Sequence, residues 1–530
     1  MPNAANQAAL LSLSDKEGLK ELAGELARHG LHLIATAGTA AAIRAAGIGC
    51  TEISALTGSE SLLGGRLKTL HAKIFAGILA RRSSAQDMQE LSTLQAPPLA
   101  VVAVNLYPFE QTAAGDAPEA AVEQIDVGGV ALIRAAAKNY RDVCVLTKPA
   151  QYRDFCSRLA AGGPSLAERR ALAADAFVLC ARYDAAIAQY LLARCNERPS
   201  HHPADCALPE VLQPVLRAVL RPSYGENPPS RAAFYACPGK TALPQQLAGK
   251  PLSYNNILDV DACLRLLSPL APPAGFPATA LRRRAVTAAI VKHTIPCGVA
   301  ARETCAHALQ AALGADPVSA YGGIVACDAV LDDAAAQLLQ ARFIEVVVAP
   351  GFEPAALRRL QAKKNLRLLT FDRGLPRALL GALKARSALR GMLVEQPDAA
   401  PHDAAWQALQ DLDSEAQWRD LLFALGVVRH VKSNAAVVAK DEVTLGICGG
   451  QTSRVSAVEL ACARAGTMAK GAVLASDGFF PFADGVLAAA AAGVAAVVAP
   501  KGSIRDAEVI AGARSAGVHL VFCNRRYFSH

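Results

Sequence analysis

The sequence predicts an α/β protein of more than one domain, and three observations carry that expectation. Short apolar runs alternate with stretches of helical periodicity along the whole chain. At 530 residues the chain exceeds what one core supports, and length alone suggests about three or four domains. Residues 196–222 interrupt the alternation with Pro, His and charge. That break divides the chain into a first domain over 1–195, a linker over 196–222 and a second domain over 223–530.

The first domain opens with a βαβ unit. ALLSLS (9–14) reads as a strand, KEGLKELAGELARHG (16–30) as a helix stopped at Gly30, and LHLIAT (31–36) as the next strand. The loops Ser14-Asp15-Lys16 and Thr36-Ala37-Gly38-Thr39 follow strand ends, where parallel sheets bind ligands. Small and hydroxyl residues there let backbone N–H groups approach a phosphate, and an ordinary capped helix start has the same look. GGRLKTLHAKIFAGIL (64–79) places Arg66, Lys68, His71 and Lys73 within eight residues. Such a loop suits an anionic ligand, or simply solvent. LAVVAVNLYPF (99–109) reads as a buried strand emptying into Asn105, Tyr107 and Pro108, with the tyrosine held extended by the proline. IDVGGVALIRAAAKNY (125–140) gives Asp126, a Gly-Gly helix start, and a helix carrying Arg134 and Lys138. Asp126 reads as an acid/base group or as a plain N-cap, and Lys138 as a functional cation or a solvated one. Residues 165–194 read as one or two long helices.

The second domain begins SYGENPPSRAAFY (223–235), and LSYNNILDVDACLRLL (252–267) runs a polar turn into a helix. AVTAAIVKHTIPCG (285–298) reads as a buried strand delivering Lys292 and His293 side by side, with Pro296 and Gly298 turning the chain away. Adjacent strand residues point to opposite faces, so both serve one pocket only if the strand ends there. A crowded lysine beside a histidine suits proton transfer, whereas a solvent-facing pair is the plainer reading. DPVSAYGGIVAC (316–327), FIEVVVAP (343–350), KSNAAVVA (432–439) and TLGICGGQTSRVSAVELACARA (444–465) continue the pattern, and a strand–helix–strand unit closes the chain. There is no fixed-period repeat. Two similar α/β stretches, around 285–350 and 430–523, suggest two subdomains.

The totals narrow the function. With 52% hydrophobic and 19% charged residues the composition is globular. The net charge of +8 is spread along the chain. Its clusters (Arg169-Arg170, Arg282-Arg283-Arg284, Lys363-Lys364) are short and lack interleaved aromatics, which argues for anionic small substrates over nucleic acid. No unbroken apolar run of 18 residues marks a membrane span, and no signal peptide opens the chain, so a cytoplasmic setting is expected. The 14 cysteines form no CxxC and read as reduced thiols. Cys195, His201, His202 and Cys206 match no zinc spacing, so no metal is expected.

In order, SLSDKEG, TAGT, GRLKTLH, NLYPF, IDVGG…RAAAKN, YGENP, YNNI, VKH…PCG, DPVSAYGGI, KSNA, GGQTSRV, SDGFFPF and GSIRD resemble one family over essentially the whole chain. It is the bifunctional purine-biosynthesis family that joins aminoimidazole carboxamide ribonucleotide (AICAR) transformylase to inosine monophosphate (IMP) cyclohydrolase. The resemblance implies a methylglyoxal-synthase-like parallel-sheet domain, then a pair of cytidine-deaminase-like α/β subdomains without their zinc. It implies formyl transfer from 10-formyltetrahydrofolate to AICAR in the second domain. Ring closure of the product, FAICAR, to IMP follows in the first. The folate is a co-substrate, no metal or nucleotide cofactor is implied, and a homodimer builds the transformylase site.

Residue by residue, the resemblance places Ser14, Lys16, Thr36, Gly38, Thr39, Arg66, Thr69, Asn105 and Gly128 around the first site's nucleotide. Lys68, Tyr107, Asp126 and Lys138 fall at its catalytic positions. In the second site His293 matches the general base, Lys292 the oxyanion stabiliser and Asn434 the group that orients the transferring atoms. Tyr224, Asn256, Gly322, Glu345, Arg454, Arg526 and Phe528 match nucleotide contacts, and Val455, Asp477, Ser503 and Ile504 the folate side.

The chain departs from the family pattern at several points. Ala37 stands within the usual TGG and Ala72 within the usual HPK. Ser223 and Pro229 replace the arginine and histidine of RYGENPHQ, Ile295 replaces the asparagine after KHA, and Tyr321 the phenylalanine of SAFGG. Losing a buried arginine–phosphate pair costs about 2–5 kcal/mol, unless Arg221 or Arg231 substitutes. Two alternatives stay open: a divergent paralogue that acts on a modified ribonucleotide or keeps one activity, and a non-catalytic nucleotide- or folate-binding protein. Retention of acid/base groups at both sites counts against the latter.

Overall fold

Two units divide the chain, Met1–Val215 and Leu216–His530. The computed structural model describes residues 7–107, 109, 118–192, 208, 212, 216–236, 243–273, 276–280, 286–396, 406–410, 412 and 414–530. Pro108, Cys195, His201, His202, Cys206, Arg282, Arg283, Arg284 and Ala285, named above, lie outside the described residues.

In the first unit β1 (Ala8–Leu13), β2 (His32–Ala35), β3 (Thr51–Glu52), β4 (Leu99–Asn105) and β5 (Cys144–Leu146) form one parallel sheet, ordered β3-β2-β1-β4-β5. β1 and β4 are apolar on both faces because helices cover both. One face packs on α1 (Leu19–Arg28) and α2 (Ala37–Ala45). The other packs on α3 (Ala72–Leu79), α4 (Val127–Lys138) and α5 (Leu166–Leu192), so the stretch read as one or two long helices is a single helix over Leu166–Leu192. Strand order reverses between β1 and β4, and an open α/β sheet binds its ligand at that crevice.

The second unit starts inside the stretch read as linker. β6 (Arg217–Leu220) pairs antiparallel with β7 (Phe234–Ala236). One twelve-stranded sheet then dominates, built from β8 (Gln245–Ala248), β9 (Val286–Lys292), β10 (Ile295–Arg302), β11 (Ile324–Cys327), β12 (Val346–Ala349) and β13 (Arg367–Thr370), and, after the small hairpin β14 (Lys384–Ala388) and β15 (Gly391–Glu395), from β16 (Gln407–Ala408), β17 (Ala436–Lys440), β18 (Val443–Cys448), β19 (Val473–Ser476), β20 (Ala496–Pro500) and β21 (His519–Cys523). Its order is β16-β21-β20-β19-β17-β18-β10-β9-β11-β12-β13-β8. Reading outward from the β18–β10 pair, each half repeats the same programme. A hairpin and an antiparallel neighbour are followed by two parallel strands and an antiparallel edge. The two similar stretches in the sequence are therefore two copies of one motif. They are fused through a continuous sheet, with Ala300 opposite Val443.

The helices repeat too. α6 (Tyr254–Leu266) precedes the first hairpin, and α7 (Cys305–Ala315), α8 (Asp333–Gln340) and α9 (Pro354–Gln361) follow it. α10 (Glu415–Val428), α11 (Arg454–Ala465), α12 (Asp484–Ala491) and α13 (Asp506–Ser515) stand in the same relation to the second. α6 and α10 share one apolar cluster, while the remaining helices of each half close the other face. Gly298 and Gly446 let α7 and α11 approach the hairpins. A Cβ on either would lie 2.1 Å from the Ala312 carbonyl oxygen or 2.0 Å from that of Ala461.

The turn after β9 corrects the sequence reading. His293 and Thr294 themselves form the two-residue tip, both with positive φ (55° and 62°), and Ile295 pairs back with Lys292. Pro296 and Gly298 sit inside β10, where a register shift between them absorbs the missing N–H. Among the described residues no helix is long and apolar enough to cross a membrane.

Candidate active sites

In the first unit the predicted phosphate loops meet at the β1–β4 crevice. Asn105, at the end of β4, accepts the backbone N–H groups of Ser14 (2.5 Å) and Asp15 (3.1 Å) on its Oδ1 and donates Nδ2 to the Asp15 carbonyl (2.7 Å). The Ser14 hydroxyl donates to the Leu106 carbonyl (3.1 Å). Thr39 is buried and ties its Oγ1 to the Leu13 backbone, whereas Thr36 caps none of the first N–H groups of α2 with its side chain. A Cβ on Gly38 would meet nothing within 4 Å. An uncapped helix start beside an open glycine is a place for an anion. Lys16 and Tyr107 are exposed at the same strand ends.

A second constellation joins the cationic loop to the start of α4. Thr69 is buried against Gly128, where a Cβ would lie 2.7 Å from its Oγ1. Asp126 caps α4, accepting from the Gly129 N–H at 2.6 Å, and its own N–H donates to the Tyr183 hydroxyl at 2.7 Å. Burial pushes the Asp126 carboxyl up, while the Gly129 N–H and the charge of Lys68 pull it down. It is thus a cap and a perturbed acid at once, beside a 400 Å³ cavity lined by Val130, Arg134 and Tyr183. The rest of the cationic loop has structural partners. Arg66 pairs with Glu123, His71 caps α3, and Lys73 donates to the Leu56 carbonyl. Lys138 is elsewhere. Twelve residues of helix carry it about 18 Å from Asp126, and it lines a neighbouring 660 Å³ cleft with Phe75, Tyr140 and Phe177, which shares Arg134 with the cavity beside Asp126.

In the second unit one sheet edge gathers the predicted groups. His293 is exposed at the β9–β10 tip, and the Lys292 ammonium donates to the Tyr321 carbonyl (2.8 Å). Asn434 precedes β17 on the same edge, three strand spacings or about 14 Å from β9. Both ends of its amide are held: Oδ1 accepts from Arg454 (2.7 Å) and Nδ2 donates to the Gln451 carbonyl (2.9 Å). Arg454, buried at the start of α11, pairs with Asp477, and its guanidinium lies over the Phe528 ring, as does that of Arg526. Asp477 is fully buried, its carboxylate taken by Arg454, the Ser433 hydroxyl and the Ala435 N–H. The structure therefore gives it the job of holding the Asn434–Arg454 pair. Asn256 is likewise buried, closing a capping box with Ser253 and donating to Glu345 (3.0 Å). Gly322 has φ 73° and its N–H donates to the Phe343 carbonyl. Val455 is half-buried in the first turn of α11. Ser503 and the fully exposed Ile504 lie in the loop before α13, and Tyr224 is exposed beside the turn closed by Gly225 and Ser230. Among the described residues no cluster of three metal-ligating side chains occurs.

Comparison with known proteins then decides the family. The model of the AICARFT/IMPCHase bienzyme matches residues 136–464, and that of the MGS-like domain matches 18–131. The chain is 45% identical over 537 residues to the bifunctional purine biosynthesis protein PurH of Synechococcus elongatus, covering 98% of this chain and 99% of that one. It is 46% identical over 540 residues to PurH of Thermosynechococcus vestitus, with the same coverage. The chain belongs to the AICARFT/IMPCHase bienzyme family. A crystal structure of ForH matches 35% of this chain and 99% of its own at 36% identity, with a TM-score of 0.32, too low to bear on the fold.

Within this family the departures find definite places. Pro229 follows a cis Pro228–Pro229 bond in the turn where the Gly225 N–H donates to the Ser230 carbonyl (2.6 Å). The Tyr321 ring rests on Phe343 at 5.0 Å, and Ile295 stands next to the His293-Thr294 tip, 38% exposed. Sequence reasoning missed Asp259, Gln451 and Tyr183, which hold the tip, Asn434 and Asp126. Nothing local marks them, because each acts on residues distant in the chain.

Proposed function

We propose that each unit carries one of the family's two activities, so that the chain performs the last two steps of IMP synthesis. The second unit transfers the formyl group of 10-formyltetrahydrofolate to AICAR. The AICAR amine is a poor nucleophile because its lone pair delocalises into the ring. His293 takes its proton as the N–C bond forms, and Lys292 steadies the tetrahedral oxyanion. Collapse then expels the folate nitrogen, which is protonated. Asn434, locked at both ends of its amide, orients the transferring atoms. The first unit closes FAICAR: the carboxamide nitrogen attacks the formyl carbon and water leaves. Lys68 stabilises the oxyanion there, and Asp126, with Tyr107, moves protons. Lys138, about 18 Å from Asp126 along one helix, is the further cation of this site, reached across the clefts that share Arg134.

The observation that carries the reading is the hairpin that ends at Lys292 and His293 on the edge that holds Asn434. Nucleotide, folate and a cytoplasmic setting belong to the same proposal, and family membership supports them. Purified protein given AICAR and 10-formyltetrahydrofolate, with FAICAR cyclisation followed separately, tests it. Both reactions are expected. Cyclisation without transformylation would favour a redirected second site, which Ser223 and Pro229 make the specific alternative.

A further inference from the structure

The tip that presents His293 is held in an unfavourable geometry by a residue the family assignment leaves without a role. A two-residue hairpin turn with both φ positive ordinarily takes Asn-Gly, because side chains with a branched Cβ fit it badly. Here it is His293-Thr294, at 55° and 62°. Asp259, in the second turn of α6 and half-buried, accepts the Thr294 N–H on Oδ1 at 2.6 Å. Burial pushes its carboxyl up, and the N–H groups of Thr294 and His293 pull it down.

The other half of the sheet repeats the device without the chemistry. Lys440 to Gly446 has the spacing of Lys292 to Gly298. The β17–β18 tip is Asp441-Glu442, again with both φ positive (53° and 55°). Asp420, on α10 as Asp259 is on α6, accepts both tip N–H groups, at 2.9 and 2.7 Å. Even the lysines match: Lys440 donates to the Lys470 carbonyl (3.4 Å), three residues before β19, as Lys292 donates to Tyr321, three before β11. A carboxylate clamp on the hairpin belongs to the repeated motif, and only one clamped tip carries an imidazole.

We propose that Asp259 is a positioning residue for His293, holding the strained tip so that the imidazole stays at the sheet edge beside its substrate. This rests on the reading of His293 as the transformylase base. Strain of this kind persists where surrounding contacts over-determine it, and it collects at functional sites.

The test compares His293→Ala, Asp259→Ala, Asp259→Asn and Asp420→Ala in the full chain. Asp259→Ala is expected to lower transformylase kcat tenfold or more with KM for AICAR within threefold. Asp259→Asn, whose amide oxygen still accepts the Thr294 N–H, keeps kcat within threefold. Asp420→Ala loosens the other tip and lowers Tm, with kcat within twofold. Transformylation surviving in His293→Ala would overturn the base assignment and the proposal with it. With His293→Ala inactive, the positioning role alone falls if Asp259→Ala keeps kcat within twofold, or if Asp420→Ala lowers kcat as much as Asp259→Ala. A tenfold loss in Asp259→Asn, which is isosteric and decides the matter should the alanine variant not fold, also overturns it.

Discussion

Replacing Arg454 by methionine keeps the stem and removes a guanidinium that the second unit is built around. Arg454 is 7% exposed and its partner Asp477 is 0% exposed. The same guanidinium also donates to the Ser476 hydroxyl at 3.1 Å and to Asn434 Oδ1 at 2.7 Å. After the change Asp477 keeps only the Ser433 hydroxyl and the Ala435 N–H as donors to a charge that water does not reach. Breaking a buried pair from one side costs about 3–5 kcal/mol, because the orphaned charge remains. Both tryptophans, Trp406 and Trp418, lie in the second unit, so urea unfolding followed by tryptophan fluorescence reports on that unit. With a slope of about 3 kcal/mol per M, the midpoint falls by about 1–1.7 M. Adding Asp477→Asn removes the orphaned charge and recovers about 1–3 kcal/mol. A loss below about 1 kcal/mol, or two changes that simply add, would refute the argument that this pair is a buried, coupled unit.

Other outcomes follow from the same geometry. Ser223→Arg returns a guanidinium to the position where the family pattern has one. A charge-assisted bond worth about 1.5–3 kcal/mol lowers KM for AICAR by about 10–150-fold, and steady-state kinetics that leave KM unmoved would show the pocket is already served or redirected. Lys68→Met removes a charge that lowers the Asp126 carboxyl, so the acid limb of the cyclisation pH profile moves to higher pH as its rate drops; a limb that stays put would separate Asp126 from that reaction. His430 is buried beside Arg429, whose Nε donates to it at 3.0 Å, and burial holds its imidazole well below the usual range. Being depressed in the folded state, it contributes stability above the unfolded value of about 6.5 that is lost as pH falls below it. Urea titrations from pH 7 to 5 should show a slope that steepens below about pH 6.5 toward about 1.4 kcal/mol per pH unit, reduced in His430→Gln.

Much of this was legible from residues alone. Apolar runs doubly covered by helices give parallel strands, so β1 and β4 were readable almost to the residue, and β12 was readable as the middle of FIEVVVAP (343–350). Lys292-His293 was readable as a strand end because charge follows seven residues without any. The turn was not, since Pro296 and Gly298 look like punctuation while a His-Thr tip does not; the carboxylate that makes that tip possible lies 35 residues upstream. The fusion of two motifs into one sheet was hidden for a similar reason. Their hairpins share Lys and Gly positions, but tip and helix residues diverge, and β10–β18 pairing links residues over a hundred apart. Asp477 was read as a folate-side residue and Asn256 as a nucleotide contact; that both are buried and hydrogen-bonded within the fold was not legible, because burial depends on what packs above them.

The central claim is that two reactions run at separate sites in separate units of one chain, and the accumulated product tests it most directly. Lys68→Ala, His293→Ala and wild type are each given AICAR and 10-formyltetrahydrofolate, and the nucleotides are identified by mass spectrometry. Wild type should yield IMP, Lys68→Ala should stop at FAICAR, and His293→Ala should leave AICAR untouched while still closing supplied FAICAR. A single change that abolishes both steps, or IMP formed by His293→Ala from AICAR, would contradict the account.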